Sequence, residues 1–350
     1  MTTADATILA VDGGNSKVDV ALLGTDGTLL AAVRGPTISH QVVSLDEAAR
    51  RLESLVRRAA AEAGADAIPP LRQAVYCLAG ADYPEDVRQL RAAFGRAVPA
   101  SDVLVLNDTF AALRAGASRS WGIALICGQG INGAAVGVDG KRIRFAGVGP
   151  IAGDWGGAGS VGMAGLGAAA RARDGRGPRT ALESTIPAAV GLRRPDAVTL
   201  AYYTGRLDEN RIGELAPVVF ATAMDGDPVA RSIVDRLADE LVVMATALAR
   251  RAHLVRHAPE VVLGGGVFRT RDADFHGRIE AGIRGAIPGA TTIPLASPPV
   301  LGAALIGLDA LAHGGKPAGT LASTVNPATV ARARELLDRW AATARVVTAS

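Results

Sequence analysis

The chain has little of the residue types that mark several classes of protein. Its 350 residues include two cysteines, Cys77 and Cys127, and aromatic side chains make up only 4%. Each cysteine lies in an apolar run without a neighbouring Cys or His, which predicts buried thiols and argues against disulfides or structural zinc. No apolar run approaches the roughly 20 residues of a membrane span. Residues 1–7 are too short and polar for a signal peptide. These absences predict a soluble, cytoplasmic protein with no membrane partner.

A large excess of one charge is also missing. Lys and Arg number 37 against 34 Asp and Glu, and the net charge is +3. Arginine pairs such as Arg50-Arg51 and Arg57-Arg58 fall in helical patterns beside acidic residues, which is typical of a solvated helix face. A nucleic-acid-binding protein would show a longer basic stripe. We therefore expect no nucleic-acid partner. The composition, half apolar and 20% charged, fits a globular protein of one or two domains.

A strand, a Gly-rich turn, a second strand, an Asp-Gly reversal and a third strand occur in this order twice. The two copies start about 115 residues apart. The predicted strands are 7–11, 18–23 and 28–34 in the first copy, and 122–126, 133–138 and 141–146 in the second. An internal repeat of topology is typical of two similar α/β domains.

Helices and further strands fill the rest of the chain. A helix at 45–63 has Ser44 and Glu47 at capping-box spacing. A later helix has Asp227 as its expected cap and Pro228 in its first turn, and its apolar residues recur at helical spacing. The other predicted elements are strands at 74–79, 103–106, 260–263 and 291–295, helices at 84–95, 272–286, 299–312 and 327–345 and after 109, a helical stretch at 160–254, and a linker at 313–325.

Three glycine-rich segments follow predicted strands. They are Asp12 to Lys17, Gly128 to Gly133 and Gly264 to Gly266. Glycine lets backbone N–H groups approach an anion closely, so the first two segments could bind phosphate, and an acid at a strand end could hold Mg²⁺. Each could also be an ordinary tight turn. The recurrence of the first two segments at equivalent points of the two copies favours a function for them.

Polar residues elsewhere leave two interpretations open. Asp108, after Asn107, is either a helix cap or a general base for phosphoryl transfer. Asp154 is either a cap or a ligand, and Ser39-His40 lies in a polar loop where a lone histidine is commonly structural.

In combination these residues resemble the N-acetylglucosamine kinase-like group, related to BadF/BadG/BcrA/BcrD ATPases, of the actin/hexokinase/Hsp70 superfamily. The resemblance covers residues 8 to 312 through the motifs AVDGGNSKVDVAL, LNDTFAAL, ICGQGINGAAVGVDG, GPIAGDWGGAGSVG, VVLGGGV and PPVLGAALIGL. It implies an α/β protein with two actin-like (ribonuclease H-like) domains and a nucleotide cleft between them. The implied domains are 1–117, joined by helix 327–345, and 118–326 with the helical insertion 160–254.

The same resemblance implies a role for each motif. Asp12 would order Mg²⁺, and Asp108 would take a proton from the sugar 6-hydroxyl. ATP would contact the two phosphate loops and the adenosine motif, which comprise Gly13, Gly14, Asn15, Ser16 and Lys17, then Gly128, Gln129, Gly130 and Asn132, then Gly264, Gly265 and Gly266. The sugar would contact Ser39, His40, Asn107, Asp108, Gly130, Gly147, Gly149 and Asp154.

The chain departs from the family pattern in three places. Ser16 and Gln129 stand where relatives often carry Thr, and Asp154-Trp155-Gly156-Gly157 replaces an Asp-Glu-Gly-Ser pattern. These changes lie near the expected sugar and γ-phosphate, so they bear on substrate identity more than on kinase activity.

The sequence therefore predicts an ATP-dependent sugar kinase acting on an amino sugar, foremost N-acetylglucosamine, as a homodimer. Glucosamine, N-acetylmuramic acid and glucose remain alternative substrates. Two other functions stay open: an ATPase that activates a partner enzyme by electron transfer, which would need cysteines for an iron–sulfur cluster, and a non-catalytic sugar sensor.

Overall fold

The computed structural model describes residues 8–313 and 325–346, which contain ten strands and twelve α-helices. The strands are β1 Ile8–Gly13, β2 Lys17–Leu23, β3 Leu29–Pro36, β4 Leu71–Leu78, β5 Ala100–Asn107, β6 Gly122–Cys127, β7 Ile131–Val136, β8 Arg142–Arg144, β9 Glu260–Gly264 and β10 Thr291–Pro294. The helices are α1 Leu45–Glu62, α2 Pro84–Ala97, α3 Asp108–Gly116, α4 Gly157–Asp174, α5 Leu182–Ala189, α6 Pro195–Tyr203, α7 Glu209–Gly213, α8 Ala216–Met224, α9 Pro228–Arg251, α10 Ala273–Ala286, α11 Pro299–Ala312 and α12 Pro327–Thr343.

Two five-stranded sheets share one strand order. The first runs β3-β2-β1-β4-β5 and the second β8-β7-β6-β9-β10. In the first sheet β1, β2 and β3 pair antiparallel, whereas β4 and β5 join in parallel. In the second sheet β7 and β8 pair antiparallel. The repeat of topology predicted from the sequence is therefore confirmed, as is the α/β class.

The first sheet is buried on both faces because its strands alternate between two apolar layers. Leu9 and Val11 belong to a core that includes residues of α1 and α2. Ile8 and Ala10 belong to a second core, built with α3, α11 and α12. Since side chains alternate along a strand, this pattern places one helical layer on each face.

The small residues of α11 let it pack closely in the second of these cores. A Cβ on Gly302 would collide with the carbonyl oxygen of Ala111 in α3. A Cβ on Gly307 would lie 2.8 Å from Cγ2 of Ile8 in β1. Close packing of α11 against α3 and β1 therefore requires glycine at both positions.

The chain divides into two compact units. The first comprises Met1–Ala124, Ala134–Ala146 and Ile293–Ser350, and the second comprises Leu125–Gly133 and Gly147–Thr292. The first unit thus contains the first sheet, α1 to α3, α11 and α12. The second unit contains α4 to α10.

Several sequence predictions differ from the structure at their edges. β7 begins at Ile131 and not at 133, and β8 has three residues where six were predicted. The predicted linker at 313–325 lies almost wholly outside the described residues. In α1 the arginine pairs form ion pairs with glutamates of the same helix, as a solvated helix face requires. Among the described helices, none is both long and apolar enough to cross a membrane.

Candidate active site

The first Gly-rich turn joins β1 to β2 in the first unit. The Gly14 N–H donates to the Lys17 carbonyl at 2.9 Å, which closes a tight turn. Asn15, Ser16 and Lys17 are exposed there. A Cβ on Gly13 would lie 2.7 Å from a leucine side chain of β4. The turn therefore presents polar side chains and backbone groups to solvent while its base is fixed by packing.

Asp12 lies in β1, just before this turn. Its partners in register are Asp19 of β2 and Cys77 of β4. Burial first, and then the charges of Asp108 and Asp19, raise the pKa of the Asp12 carboxyl well above its ordinary value. The Asp19 carboxylate itself accepts from Nε and Nη2 of Arg34, at 2.6 and 2.9 Å. Carboxyls that disfavour each other's ionisation are a fitting environment for a divalent cation, whose charge would remove the repulsion.

Asp108 is the first residue of α3, and the cap of that helix is its neighbour. The Asn107 side-chain oxygen accepts from the Thr109 backbone N–H at 3.2 Å. Burial, followed by the charge of Asp82, raises the pKa of Asp108 to about 6, although the Thr109 N–H and Arg144 act in the opposite direction. The cap of α3 is therefore Asn107 and not Asp108.

Asp82 is a functional candidate that the sequence analysis missed. The Asn107 amide nitrogen donates to Asp82 Oδ1 at 3.0 Å, and Gln41 Nε2 donates to Oδ2 at 3.2 Å. Arg144 Nη1 lies 3.5 Å from Oδ1. A signal existed, because β4 and β5 are parallel and the loops after parallel strands meet at one edge of the sheet. Asp12, Asp82 and Asp108 are called the acidic site below.

The loop after β3 lies against the first turn. The Thr37 hydroxyl donates to the Gly14 carbonyl at 2.7 Å and accepts from the Ser39 N–H at 3.0 Å. Ser39 is buried, and His40 Nε2 lies 3.7 Å from Asp86 Oδ1. His40 Nδ1 is buried without a hydrogen-bond partner among the described residues. A buried polar atom without a partner suits a ligand contact.

The second Gly-rich loop lies at the N-terminus of α4, in the second unit. The Gly128 N–H donates to the Gly130 carbonyl at 2.9 Å. In turn, Ala158 N–H donates to Gly128 and Gly159 N–H to Gln129, at 2.8 and 2.9 Å. The loop is thus bonded to the start of an 18-residue helix, and the dipole of that helix favours anions at this end.

The two glycines at the start of α4, Gly156 and Gly157, are required by packing. Gly157 has φ +81°, and a Cβ there would lie 2.5 Å from the Gly130 carbonyl. A Cβ on Gly156 would lie 2.8 Å from Ile131 Cδ1. The pair therefore lets the start of α4 approach the loop. The segment Gly128–Gly130 together with Gly156 and Gly157 is called the glycine-rich site below.

A cavity of about 540 Å³ adjoins this site within the second unit. Its wall includes Gly147, Gly149 and Asp154, three of the predicted sugar contacts. Asp154 Oδ2 accepts from the Gly149 N–H at 3.0 Å, and a Cβ on Gly147 would strike the Asn132 side chain. Asp154 thus closes its own loop, and at least one of its oxygens is engaged by the backbone.

Gln129 holds the loop to another helix. Its Nε2 donates to the Glu209 carbonyl of α7 at 2.9 Å. Gly159 and Gly213 leave room for the side chain, since a Cβ on Gly213 would collide with Gln129 Oε1. This side chain therefore packs among helices of the second unit, while its backbone belongs to the loop.

The third glycine-rich segment, Gly264 to Gly266, starts at the last residue of β9 and contacts the second loop through Gly265. Gly265 has φ +106°, and a Cβ there would collide with the backbone of Cys127, the residue before Gly128. Gly266 opens a 3₁₀ turn, and a Cβ added to it would have no atom within 4 Å. The predicted site residues thus form two groups, one in each unit.

Neither cysteine is arranged for metal binding. Both thiols are buried, as predicted, and burial raises the pKa of Cys127 to about 12. Within residues 8–313 and 325–346, no group of three or more His, Cys, Asp and Glu side chains could hold a metal ion. A cation here would need ligands beyond the protein, such as phosphate oxygens and water.

Solved structures share this architecture. A protein from Chromobacterium violaceum, provisionally described as an N-acetylglucosamine kinase, has a TM-score of 0.65 and 21% identity, and the match covers 86% of this chain and 99% of that one. One from Porphyromonas gingivalis with the same provisional description has a TM-score of 0.55 and 22% identity, over 85% and 96%. These likenesses confirm the predicted actin-like fold.

Relatives are found at the sequence level too. An N-acetylmuramic acid/N-acetylglucosamine kinase of Clostridium acetobutylicum is 26% identical over 74% of this chain and 85% of its own length. An N-acetyl-D-glucosamine kinase of Dictyostelium discoideum is 23% identical over 86% and 97%. A family model matches residues 9–307, which is most of the chain. The chain belongs to the BadF/BadG/BcrA/BcrD ATPase family.

Proposed function

We propose that the chain is an ATP-dependent kinase that transfers the γ-phosphate of ATP to the 6-hydroxyl of an amino sugar, foremost N-acetylglucosamine. The observation that carries the proposal is the Asp108 carboxyl, which starts α3 with a pKa of about 6 beside Asp12. The family is one of ATPases, and two relatives in different organisms are named for kinase activity on N-acetylated amino sugars.

Asp108 would act as the general base. Above pH 6 its carboxylate is ionised and can accept the proton of the sugar hydroxyl as the oxygen attacks phosphorus. A base with a pKa near the working pH combines the correct protonation state with sufficient basicity, and contributes roughly 10²–10⁴-fold. The Asn107 cap fixes the start of α3 and hence the direction of the carboxylate.

ATP would be held by backbone groups. The turn at Gly13 to Lys17 and the loop at Gly128 to Gly130, with Asn132, would contact the phosphates, and Gly264 to Gly266 would contact the adenosine. Support comes from the tight hydrogen bonding of both turns and from the helix N-terminus behind the second. Mg²⁺ would be held by Asp12, directly or through water, and when bound would neutralise phosphate charge.

The sugar would contact two sets of residues. Ser39, His40 and Asn107 in the first unit would bind hydroxyls, and the unpartnered Nδ1 of His40 supports this role. In the second unit Gly130, Gly147, Gly149 and Asp154 would border the substituent at C2, where the absence of side chains on the glycines leaves space. We also propose a homodimer, which light scattering of the purified protein would test.

The test is an assay of ADP release with Mg-ATP against N-acetylglucosamine, glucosamine, N-acetylmuramic acid and glucose, with a no-sugar control. We expect the highest kcat/KM with N-acetylglucosamine and a phosphorylated 6-hydroxyl in the product by NMR. Preference for another sugar of the panel would correct the substrate while keeping the kinase. ATP hydrolysis independent of sugar, or no turnover with any sugar, would overturn the proposal.

A further inference from the structure

A second cavity lies in the first unit, and none of the residues of the acidic site or the glycine-rich site lines it. Its volume is about 230 Å³, room for several water molecules or one small metabolite. The wall comes from β4, β5, α3 and α11, and from the hairpin of β7 and β8. Its charged lining residues are Arg91, Asp102, Arg114, Arg142 and Asp309, and Gln73 is also part of the wall.

The carboxylates of this wall already have cationic partners. Arg114 Nε donates to Asp309 Oδ2 at 2.8 Å, and both side chains are buried. Asp102 lies 4.0 Å from Arg91 at the exposed rim and also accepts from a backbone N–H. Neither acid is therefore left to balance the remaining arginine.

Arg142 is that remaining arginine. Over the residues that the structure describes, its guanidinium forms no ion pair and no hydrogen bond. Burial lowers the pKa of Arg142, because a partly buried position disfavours the charged form of the guanidinium. The one nearby group that favours the charge is Cys77, whose own thiol has a raised pKa and is therefore neutral at physiological pH. A partly buried guanidinium without a counter-ion suits an anionic ligand.

Gln73 is a second residue of this cavity with an unsatisfied polar group. The residue is fully buried, and its Nε2 donates to the carbonyls of Ala74 and Asp102 at 3.3 and 3.4 Å. Its Oε1 has no hydrogen-bond partner among the described residues. Because a buried acceptor that stays unsatisfied destabilises the protein, a ligand that carries a donor group would be favoured here.

We propose that this cavity binds a small organic anion that also carries a hydroxyl or amino group, with the anionic group on Arg142 and the donor on Gln73 Oε1. The inference does not depend on the proposed kinase activity. It follows from an unpaired cation and an unpaired acceptor that line one cavity.

The cavity shares two structural elements with the acidic site. Arg142 and Arg144 point to the same side of β8, and Arg144 lies 3.5 Å from Asp82. Helix α3 begins at Asp108 and contributes Arg114 to the cavity wall. This second expectation rests on the proposed kinase activity: a bound anion should change turnover without competing with the substrates.

The test is isothermal titration calorimetry on the full chain with matched probes. Glycerol 3-phosphate and lactate carry an anion and a hydroxyl, whereas methyl phosphate and propionate carry the anion alone. We expect at least one hydroxylated probe to bind, several-fold more tightly than its partner. Preference for the phosphate or the carboxylate pair identifies the anionic group. Absence of binding by all four at millimolar concentration would overturn the inference.

Two variants assign the binding to the cavity. Arg142→Gln should weaken binding of every probe at least tenfold, and Gln73→Met should abolish the preference for the hydroxylated member of each pair. Arg58→Gln, an exposed arginine of α1, is the control and should change neither. A phosphate probe bound at the Gly-rich turns would be insensitive to Arg142→Gln. Equal affinities in the wild type and both cavity variants would contradict the inference.

Discussion

The acidic site and the glycine-rich site lie at corresponding points of two sheets with the same strand order. They nevertheless differ in chemistry, because one consists of carboxyl groups and the other of backbone groups. β1 leads through Asp12 into its turn, whereas β6 ends at Cys127 and leads directly into Gly128. The first site offers carboxylates whose pKa values are raised by burial. The second offers backbone groups and space. One topology thus positions buried carboxyl groups in one unit and a Gly-rich loop in the other.

Replacement of the proposed base, Asp108, should have the largest effect on turnover and so test the contrast most strongly. Asp108→Asn keeps the size of the side chain and a possible hydrogen bond but cannot accept the proton. We expect kcat to fall by roughly 10²–10⁴. ATP affinity, measured by titration of a non-hydrolysable analogue, should change less than about threefold, since the phosphates are proposed to contact other residues. Retention of more than a tenth of wild-type turnover would contradict the role of Asp108.

A substitution at a glycine of the glycine-rich site should raise the KM for ATP and leave kcat nearly unchanged. In Gly157→Ala the new Cβ would meet the Gly130 carbonyl, so the loop must move. We expect the KM for ATP to rise about tenfold or more, because roughly 1.4 kcal/mol of lost contact is a factor of ten. The expected kcat is near that of the wild type.

Gly175→Ala is a matched control for that variant. Gly175 also has φ +81° and would incur the same backbone strain of about 1–3 kcal/mol, but nothing lies within 4 Å of its added Cβ. Urea unfolding should show a loss of stability in both variants, and only Gly157→Ala should change the KM for ATP. Equal KM values in the two variants would show that the loop is not part of the nucleotide site.

The pH dependence of the reaction should report on Asp82. Because Asp108 must be ionised to act as a base, kcat/KM should rise with pH through about 6. The negative charge of Asp82 raises the pKa of Asp108, so Asp82→Asn should move this rise to lower pH. The measurement is kcat/KM from pH 5 to 8 at constant Mg²⁺. Asp66→Asn, the same charge change at an exposed position, should leave the profile unmoved, and a rise at unchanged or higher pH in Asp82→Asn would contradict the coupling.

Local patterns and motifs were sufficient to predict most of this architecture. The strand–turn–strand repeat, the cap at Asp227 and the helix after it all depend on neighbouring residues, and the structure agrees with them. Asp82 escaped prediction because its importance comes from contact with Asn107, 25 positions away. Likewise, the reason for Gly156-Gly157 lies in packing against a loop more than 25 residues earlier in the chain, which no local pattern reveals.

The smallest expected effect concerns Gln129, the residue that joins the glycine-rich site to α7. Gln129→Ala removes the hydrogen bond to the Glu209 carbonyl and should cost about 0.5–1.5 kcal/mol of stability. The KM for ATP should rise only a few-fold, since the backbone bonds of Gly128 and Gln129 to α4 remain. A change in kcat larger than that in KM would assign this side chain to the reaction itself.

A double-mutant cycle would sharpen this result. Gly213→Ala alone should destabilise the protein, because its Cβ would collide with Gln129 Oε1. In the Gln129→Ala background that atom is absent, so the same change should cost less, with an interaction energy of about 0.5–3 kcal/mol for residues in contact. Gly167→Ala, whose Cβ would have nothing within 4 Å, should be additive with Gln129→Ala. Strict additivity for Gly213 as well, measured by urea unfolding, would mean that Gln129 does not occupy the space beside α7 in solution. The loop Gly128–Gly130 would then be fixed by its backbone bonds to α4 alone.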